Sequence, residues 1–147
     1  MEIILSHLDE TKVFARTIIE ELKKKKNQNG ATLLLLYGDV GAGKTTLVQF
    51  MGQYLGIHTS MQSPTFVIQK NYKTKDFDFK NFVHIDAYRI ENPEELKKIK
   101  IKETLAEKDT LVVVEWPKQG GDVFAKPHLE LFLKFVDENR RKVRMVK

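Results

Sequence analysis

Thr32-Leu33-Leu34-Leu35-Leu36-Tyr37-Gly38-Asp39-Val40-Gly41-Ala42-Gly43-Lys44-Thr45-Thr46 is the stretch that decides the fold. Leu33 to Tyr37 is an uninterrupted apolar run, which is how a strand buried on both faces of a parallel sheet reads. Past the glycines, Leu47, Val48, Phe50, Met51, Tyr54 and Leu55 recur at helical spacing until Gly56. Strand, glycine loop and helix together are the setting in which Gly38-x-x-x-x-Gly43-Lys44-Thr45 forms a phosphate-binding Walker A loop. The glycines let successive amides turn inward as a nest for anionic oxygens. The helix that follows aims its positive end at the same point. Lys44 supplies a point charge to the β- and γ-phosphates, and the Thr45 hydroxyl can ligate Mg²⁺. Gly38, Asp39, Val40, Gly41, Ala42, Gly43, Lys44, Thr45 and Thr46 are therefore the expected nucleotide contacts, with ATP and Mg²⁺ as the expected cofactors.

Upstream, Glu2 to Leu5 reads as a short strand, and Ser6-His7-Leu8-Asp9 as a capping box opening a helix. Val13, Phe14, Ile18 and Leu22 give that helix one apolar stripe. The lysine run Lys23 to Lys26 and Asn27-Gln28-Asn29-Gly30 close it. Downstream, Phe66 to Tyr72 and Phe82 to Asp86 read as strands joined by too short a polar stretch for a helical crossover, hence a hairpin. Asn92-Pro93-Glu94-Glu95 opens a helix with Asn92 as cap and Glu95 returning to it. Leu111 to Glu115 is a second buried strand. His128 to Val136 and Lys142 to Val146 alternate as two late strands paired across Asp137-Glu138-Asn139. The expectation is an α/β, P-loop NTPase-like three-layer fold, a central mixed sheet flanked by helices, in one domain over residues 1–147.

A Walker A loop needs an acid at a neighbouring strand end to hold the metal, directly or through water. Asp86 and Glu115 both end apolar strands, so Thr45, Glu115 and Asp86 form the candidate metal set. One acid anchors Mg²⁺ while the other polarises water, and the sequence leaves open which does which. Ser63-Pro64-Thr65 lies where switch segments of P-loop proteins sense the γ-phosphate, and also reads as a hydroxyl turn starting a strand. Lys44, Asp86, Glu115 and Thr65 are the candidate catalytic residues. Arg89 is either a cis charge for the transition state or a surface ion-pair partner. Tyr88 and Trp116 read as packing residues, Asp76 and Asp78 as solvated loop acids, and His84 as a hydrogen-bonded core histidine.

Apolar residues make up 41% and charged residues 31% of the 147, the balance of an ordinary globular protein. With no cysteine there are no disulfides and no thiolate metal sites. No apolar run approaches the length of a membrane span, and the first residues lack a signal-peptide pattern, so a cytoplasmic protein with no membrane contact is expected. The net charge of +5 permits an acidic partner without demanding one. Its surplus sits in Lys23 to Lys26 and Arg140 to Arg144, read as a solvated helix end and a solvated edge strand.

Taken together, Gly38 to Thr46, Ser63-Pro64-Thr65-Phe66, His84-Ile85-Asp86-Ala87-Tyr88-Arg89, Pro93-Glu94-Glu95-Leu96 and Val114-Glu115-Trp116-Pro117 resemble, in order and spacing, the TsaE (YjeE) family. That family is the bacterial ATPase subunit of tRNA threonylcarbamoyladenosine biosynthesis, and the resemblance covers nearly the whole chain. It implies weak ATP hydrolysis alone, stimulated by the partners TsaD and TsaB, in support of modifying the tRNA adenosine beside the anticodon, with tRNA contact direct or indirect. It also implies that Thr65 serves a switch segment, that Trp116 sits beside the site, and that the helix start from Asp9 to Thr11 lies against adenine. At the last hairpin the family's Gly-Arg gives way to Glu138-Asn139-Arg140-Arg141, so the resemblance assigns no role to either arginine. A small-molecule or nucleoside kinase is the alternative, although the inserts are short and Arg89 is the sole arginine between Arg16 and Arg140. No Asn-Lys-x-Asp motif supports a GTP switch.

Overall fold

Alternation along one strand divides the core in two. In the computed structural model, which describes residues 1–59, 61 and 68–147, Thr32 to Leu36 are all buried. Leu34 and Leu36 face a core shared with Phe14, Ile18 and Leu22 of one helix and Leu47, Val48 and Met51 of another. Leu33 and Leu35 face a second core with Val83, Ile85, Val112, Val114, Leu96 and Phe124. Each fully buried aliphatic side chain of this kind contributes about 1.5–3 kcal/mol. The strand is thus anchored from both sides of the sheet.

The strands are β1 (Glu2–Leu5), β2 (Thr32–Tyr37), β3 (Gln69–Lys73), β4 (Asn81–Asp86), β5 (Thr110–Glu115), β6 (Leu129–Phe135) and β7 (Arg141–Val146). They form one seven-stranded sheet in the order β1-β7-β6-β2-β5-β4-β3. The middle is parallel, β2 pairing with both β5 and β6, and β5 with β4. Antiparallel pairs flank it: β3 with β4, β6 with β7, and β7 with β1. Helices α1 (Leu8–Lys24) and α2 (Lys44–Tyr54) cover one face. The other face carries 3-10 segments at Pro93–Ile99 and Pro117–Phe124 and the short α3 (Ile101–Leu105). The expected mixed sheet between helical layers is therefore present, as is the β3–β4 hairpin. Phe66 and Val67 of its expected first strand lie outside the described residues.

Several local expectations change. Helix α1 has His7 as its cap, without a side-chain capping bond, and the carboxylate returning to the Ser6 amide is Glu10 at 2.6 Å rather than Asp9. Val13 is 60% exposed; Ala15 and Ile19 complete the buried stripe in its place. Asn92 does cap, accepting from the Glu94 amide at 3.0 Å, but Glu95 reaches the Glu91 amide, and the segment coils as 3-10. Asp76 is no solvated loop acid: it accepts from the amides of Asp78 and Phe79 and pairs with Lys23 at 2.9 Å, tying the hairpin to α1. The basic segments are likewise partly spoken for, with Lys26 on Asp109 at 2.6 Å and β7 lying inside the sheet rather than at its edge.

His128 fastens β6 to the central strand. Its Nδ1 accepts the Leu33 amide at 3.0 Å, and burial, with Lys25 nearby, pushes its pKa down from the ordinary histidine value. A histidine held neutral by the fold contributes stability fully above its unfolded pKa, and loses that contribution as pH falls through the lower folded one. Wild-type stability should therefore fall between about pH 7 and pH 5 more steeply than that of His128→Asn, whose amide oxygen can accept the same bond without titrating. Urea unfolding across that range checks it; parallel pH profiles would remove His128 from the account.

Candidate active site

The parallel pairing sets three strand ends side by side. Leu36 is in register with Glu115, and Glu115 with Asp86, so both acids stand beside the point where β2 enters the glycine loop. Ligand sites of open α/β sheets form beyond such carboxyl ends. By the two-residue period of a strand, Phe82, His84 and Asp86 share a face, as do Leu111, Val113 and Glu115. Phe82, Leu111 and Val113 pack in the core beneath α2, which places the acids on the side where α2 begins.

The loop itself is shaped by two glycines above all. A Cβ on Gly38, whose φ is +151°, would lie 2.5 Å from the Leu133 carbonyl oxygen of β6. Gly43 caps α2 in the left-handed region at φ 97°. Lys44 is only 5% exposed and turns back on its own loop, donating from Nζ to the carbonyls of Gly38 at 2.5 Å and Asp39 at 3.1 Å. Nζ also sits 4.5 Å from the Trp116 ring centroid. Burial pushes the Lys44 pKa below the usual lysine value, opposed by the charges of Glu115, Asp86 and Asp39.

Glu115 is 3% exposed and divided between two partners. Oε2 meets His84 Nε2 at 2.6 Å, and the Thr45 hydroxyl donates toward both oxygens, at 3.3 Å to Oε1 and 3.5 Å to Oε2. Asp86 is 5% exposed and accepts from the Tyr88 amide at 3.0 Å, in a turn that begins just after β4. Trp116 follows Glu115 in the left-handed region at φ 58°, ψ 50°, unusual for a bulky side chain, with its ring 4.9 Å from that of Tyr88. Both line the cleft: Trp116 also packs against the second core, as read, and lies beside the site, whereas Tyr88 is 46% exposed and fills no core.

Two clefts meet at the loop. One, of about 460 Å³, is lined by Lys44, Thr45, Asp86, Glu115, Tyr88 and Trp116. The other, of about 420 Å³, lies between α1 and the last hairpin, with Thr11, His7, Leu47, Leu133 and Asn139 among its walls. Gly43, Thr46 and Arg141 belong to both. Val40 to Thr46, both acids and Thr11 are thus brought around these two adjoining clefts, while Gly38 and Asp39 face a neighbouring hollow beside Trp116 and Leu133. Val40 is 77% exposed at its rim, and Thr65 lies outside the described residues. Thr45, Glu115 and Asp86 offer only hard oxygen donors, which suits Mg²⁺. Among the described residues no three His, Asp or Glu side chains converge as a closed cage. Such a set fits an ion that keeps waters and substrate phosphates among its ligands.

Two residues were not assigned to the site from sequence. Arg141 donates to the carbonyls of Asp137 at 2.6 Å and Arg140 at 3.0 Å, and lies over the Phe135 ring at 4.7 Å. Its register opposite Phe135, two before buried Val143, puts it on the helix-covered face; counting the alternation back along β7 reveals this. His84 is 1% exposed and hydrogen-bonded, as read, but its partner is the candidate catalytic acid. Asp86 two residues on was the available signal.

A buried parallel strand feeding a glycine loop and helix, with acids on the adjacent strand ends, defines a P-loop-like α/β protein. A crystal structure of YdiB from Bacillus shares this fold, with a TM-score of 0.69 at 24% identity over 97% of this chain and 82% of that one. The description "Threonylcarbamoyl adenosine biosynthesis protein TsaE" matches residues 5–143. The chain is 35% identical to the TsaE protein of Rickettsia prowazekii, covering 93% of this chain and 88% of that one. It is 31% identical to that of Aquifex aeolicus, covering 98% and 94%. The chain belongs to the TsaE family, whose role is in tRNA threonylcarbamoyladenosine biosynthesis.

Trp116 is the only tryptophan in the chain, and its ring faces the Lys44 cation. Lys44→Ala should change the emission intensity of the nucleotide-free protein, since a charge against an indole perturbs its excited state. Identical spectra for variant and wild type would mean that the cation and the ring are apart in solution.

Proposed function

We propose that this chain is a cytoplasmic, Mg²⁺-dependent ATPase that hydrolyses ATP to ADP and phosphate in support of tRNA threonylcarbamoyladenosine formation, acting with TsaD and TsaB. The observation that carries the reading is the convergence of Lys44, Thr45, Asp86 and Glu115 around the glycine loop. The loop amides and the start of α2 bind the phosphates. Lys44 exchanges its two loop carbonyls for phosphate oxygens. Thr45 and one of the two acids would hold Mg²⁺, which would supply charge neutralisation at the β- and γ-phosphates. The other acid orients a water in line with the γ-phosphorus; the water oxygen bonds to phosphorus as the bond to the β-phosphate oxygen breaks. ADP leaves, and the water's proton passes to solvent or to the released phosphate.

The second cleft suits the nucleoside. Leu47 and Leu133 give it apolar walls, Thr11 and Asn139 polar ones, and its volume is in the range of small-ligand sites. Arg141 stands at the junction with the phosphate cleft, where a guanidinium favours the phosphate chain. A slow basal rate fits the retracted Lys44, because nucleotide must displace two hydrogen bonds and an aromatic contact before the charge is delivered. Partner contact that holds the site closed would raise the rate. Transfer to a small-molecule acceptor, the kinase reading, would show as phosphorylated acceptor in place of free phosphate.

The test is ATP turnover by the purified chain, alone and with TsaD, TsaB and tRNA. Slow phosphate release that rises with the partners and disappears in Lys44→Ala is expected. Full activity in Lys44→Ala would sink the loop assignment, and no response to the partners would discard the pathway link. Asp86→Asn and Glu115→Gln should each bind ATP within several-fold of wild type while losing about 10²-fold in kcat. Normal hydrolysis by both variants would refute the roles given to these acids.

A further inference from the structure

We propose that His84 is a positioning residue for Glu115: it pins one carboxylate oxygen so that the other stays aimed at Thr45 and the phosphate cleft. The inference rests on the ATPase reading above. The terminal torsion of a glutamate is broad, so an unrestrained carboxylate would present either oxygen over a wide arc. Here Glu115 Oε2 is held at 2.6 Å by His84 Nε2, and the Thr45 hydroxyl approaches Oε1 at 3.3 Å, slightly nearer than its 3.5 Å to Oε2. A carboxylate can only accept, so the imidazole nitrogen facing it carries a proton. The other nitrogen, Nδ1, is buried with no hydrogen-bond partner among the described residues. In the Nε2–H tautomer that orphan is a bare lone pair and no N–H is stranded. The geometry thus selects one tautomer and one direction of donation.

A space-filling role alone does not account for the residue. Phe82, Leu111 and Val113, its neighbours on the same face, are apolar and wholly buried. A leucine at position 84 would continue that surface, but would strip Glu115 Oε2 of its 2.6 Å imidazole partner and leave it only the longer 3.5 Å approach of the Thr45 hydroxyl. Direct catalysis is excluded by placement. His84 is 1% exposed and lies behind Glu115, away from the cleft that Glu115 itself lines. The imidazole therefore acts through the carboxylate, as outer-layer partners do for metal and water ligands.

His84→Gln keeps a side-chain N–H near the Nε2 position, whereas His84→Asn withdraws it by one methylene; both stay polar and compact. With TsaD, TsaB and tRNA present, His84→Asn should lower kcat by about 10–100-fold with KM changed less than about threefold, and His84→Gln should recover most of the loss. Thermal unfolding and ATP titration of Trp116 emission establish that both variants fold and bind. Independently of turnover, ¹⁵N NMR of the nucleotide-free wild-type chain should find the His84 proton on Nε2 and Nδ1 bare. Wild-type kcat in His84→Asn, equal loss in both variants, or a proton on Nδ1 with Nε2 bare would overturn the role. Absence of hydrolysis by wild type would instead remove the ATPase reading itself, and this role with it.

Discussion

The whole site hangs on the parallel pairing of β2 with β5 and of β5 with β4. Register in a sheet is all-or-none, because a slip of one residue turns every side chain to the opposite face. A slip of β5 would exchange Glu115 with Val114, sending the acid toward Leu33, Leu35 and Ile85 and an aliphatic group toward Thr45. The apolar alternation that drives burial on two faces is therefore the same feature that aims the chemistry. Leu111 and Val113 hold one face, Val112 and Val114 the other, and the acid arrives where the strand runs out. The Ala87 amide, bonded to the Glu115 carbonyl at 3.0 Å, carries the pairing one residue past Asp86 and locks the two ends together.

Burying Glu115, Asp86 and Lys44 in one place requires mutual compensation, since an isolated buried charge is far more costly than the fold could tolerate. Lys44 and Arg141 stand against Asp86 and Glu115 in the lining of this cleft, so its opposite charges are matched in number. Lys44 is fixed by the Gly38 and Asp39 carbonyls and faces the Trp116 ring. The left-handed backbone at Trp116 costs on the order of 1–3 kcal/mol. The ring's contacts with Tyr88 and with the Lys44 ammonium offset part of that cost.

The glycine loop, the central strand and the two strand-end acids were legible in the sequence because each follows from short-range rules: apolar runs, glycine conformations, helix polarity. The hairpins were legible for the same reason. What the chain did not display was reach across the sheet. Arg141 sits far from Gly43 in sequence and meets it because β7 pairs with β6, and β6 with the strand that feeds the loop; the hairpin was legible, but the sheet order that carries its arginine to the loop was not. Trp116 read as packing because an aromatic after a buried strand usually is; its unusual backbone turns the ring back over Lys44. The Ser6–Asp9 cap failed by one residue: with His7 at the helix start, Glu10 is the acid placed to reach the Ser6 amide.

The antiparallel flank has a separate task. β6, β7, β1 and the start of α1 contribute Leu133, Arg141, Leu5, His7 and Thr11 to the second cleft, while the parallel middle contributes the phosphate-side acids. The two halves of the sheet thus serve two adjoining clefts, with the glycine loop between them. Gly38 shows why they cannot be adjusted independently: its Cα lies so close to the Leu133 carbonyl of β6 that no side chain fits there. The loop that turns toward the acids on one side is pressed against the wall of the second cleft on the other. A shift of β6 would therefore move the glycine loop as well as the cleft wall, and the partnership between strand, loop and hairpin is a single packing constraint.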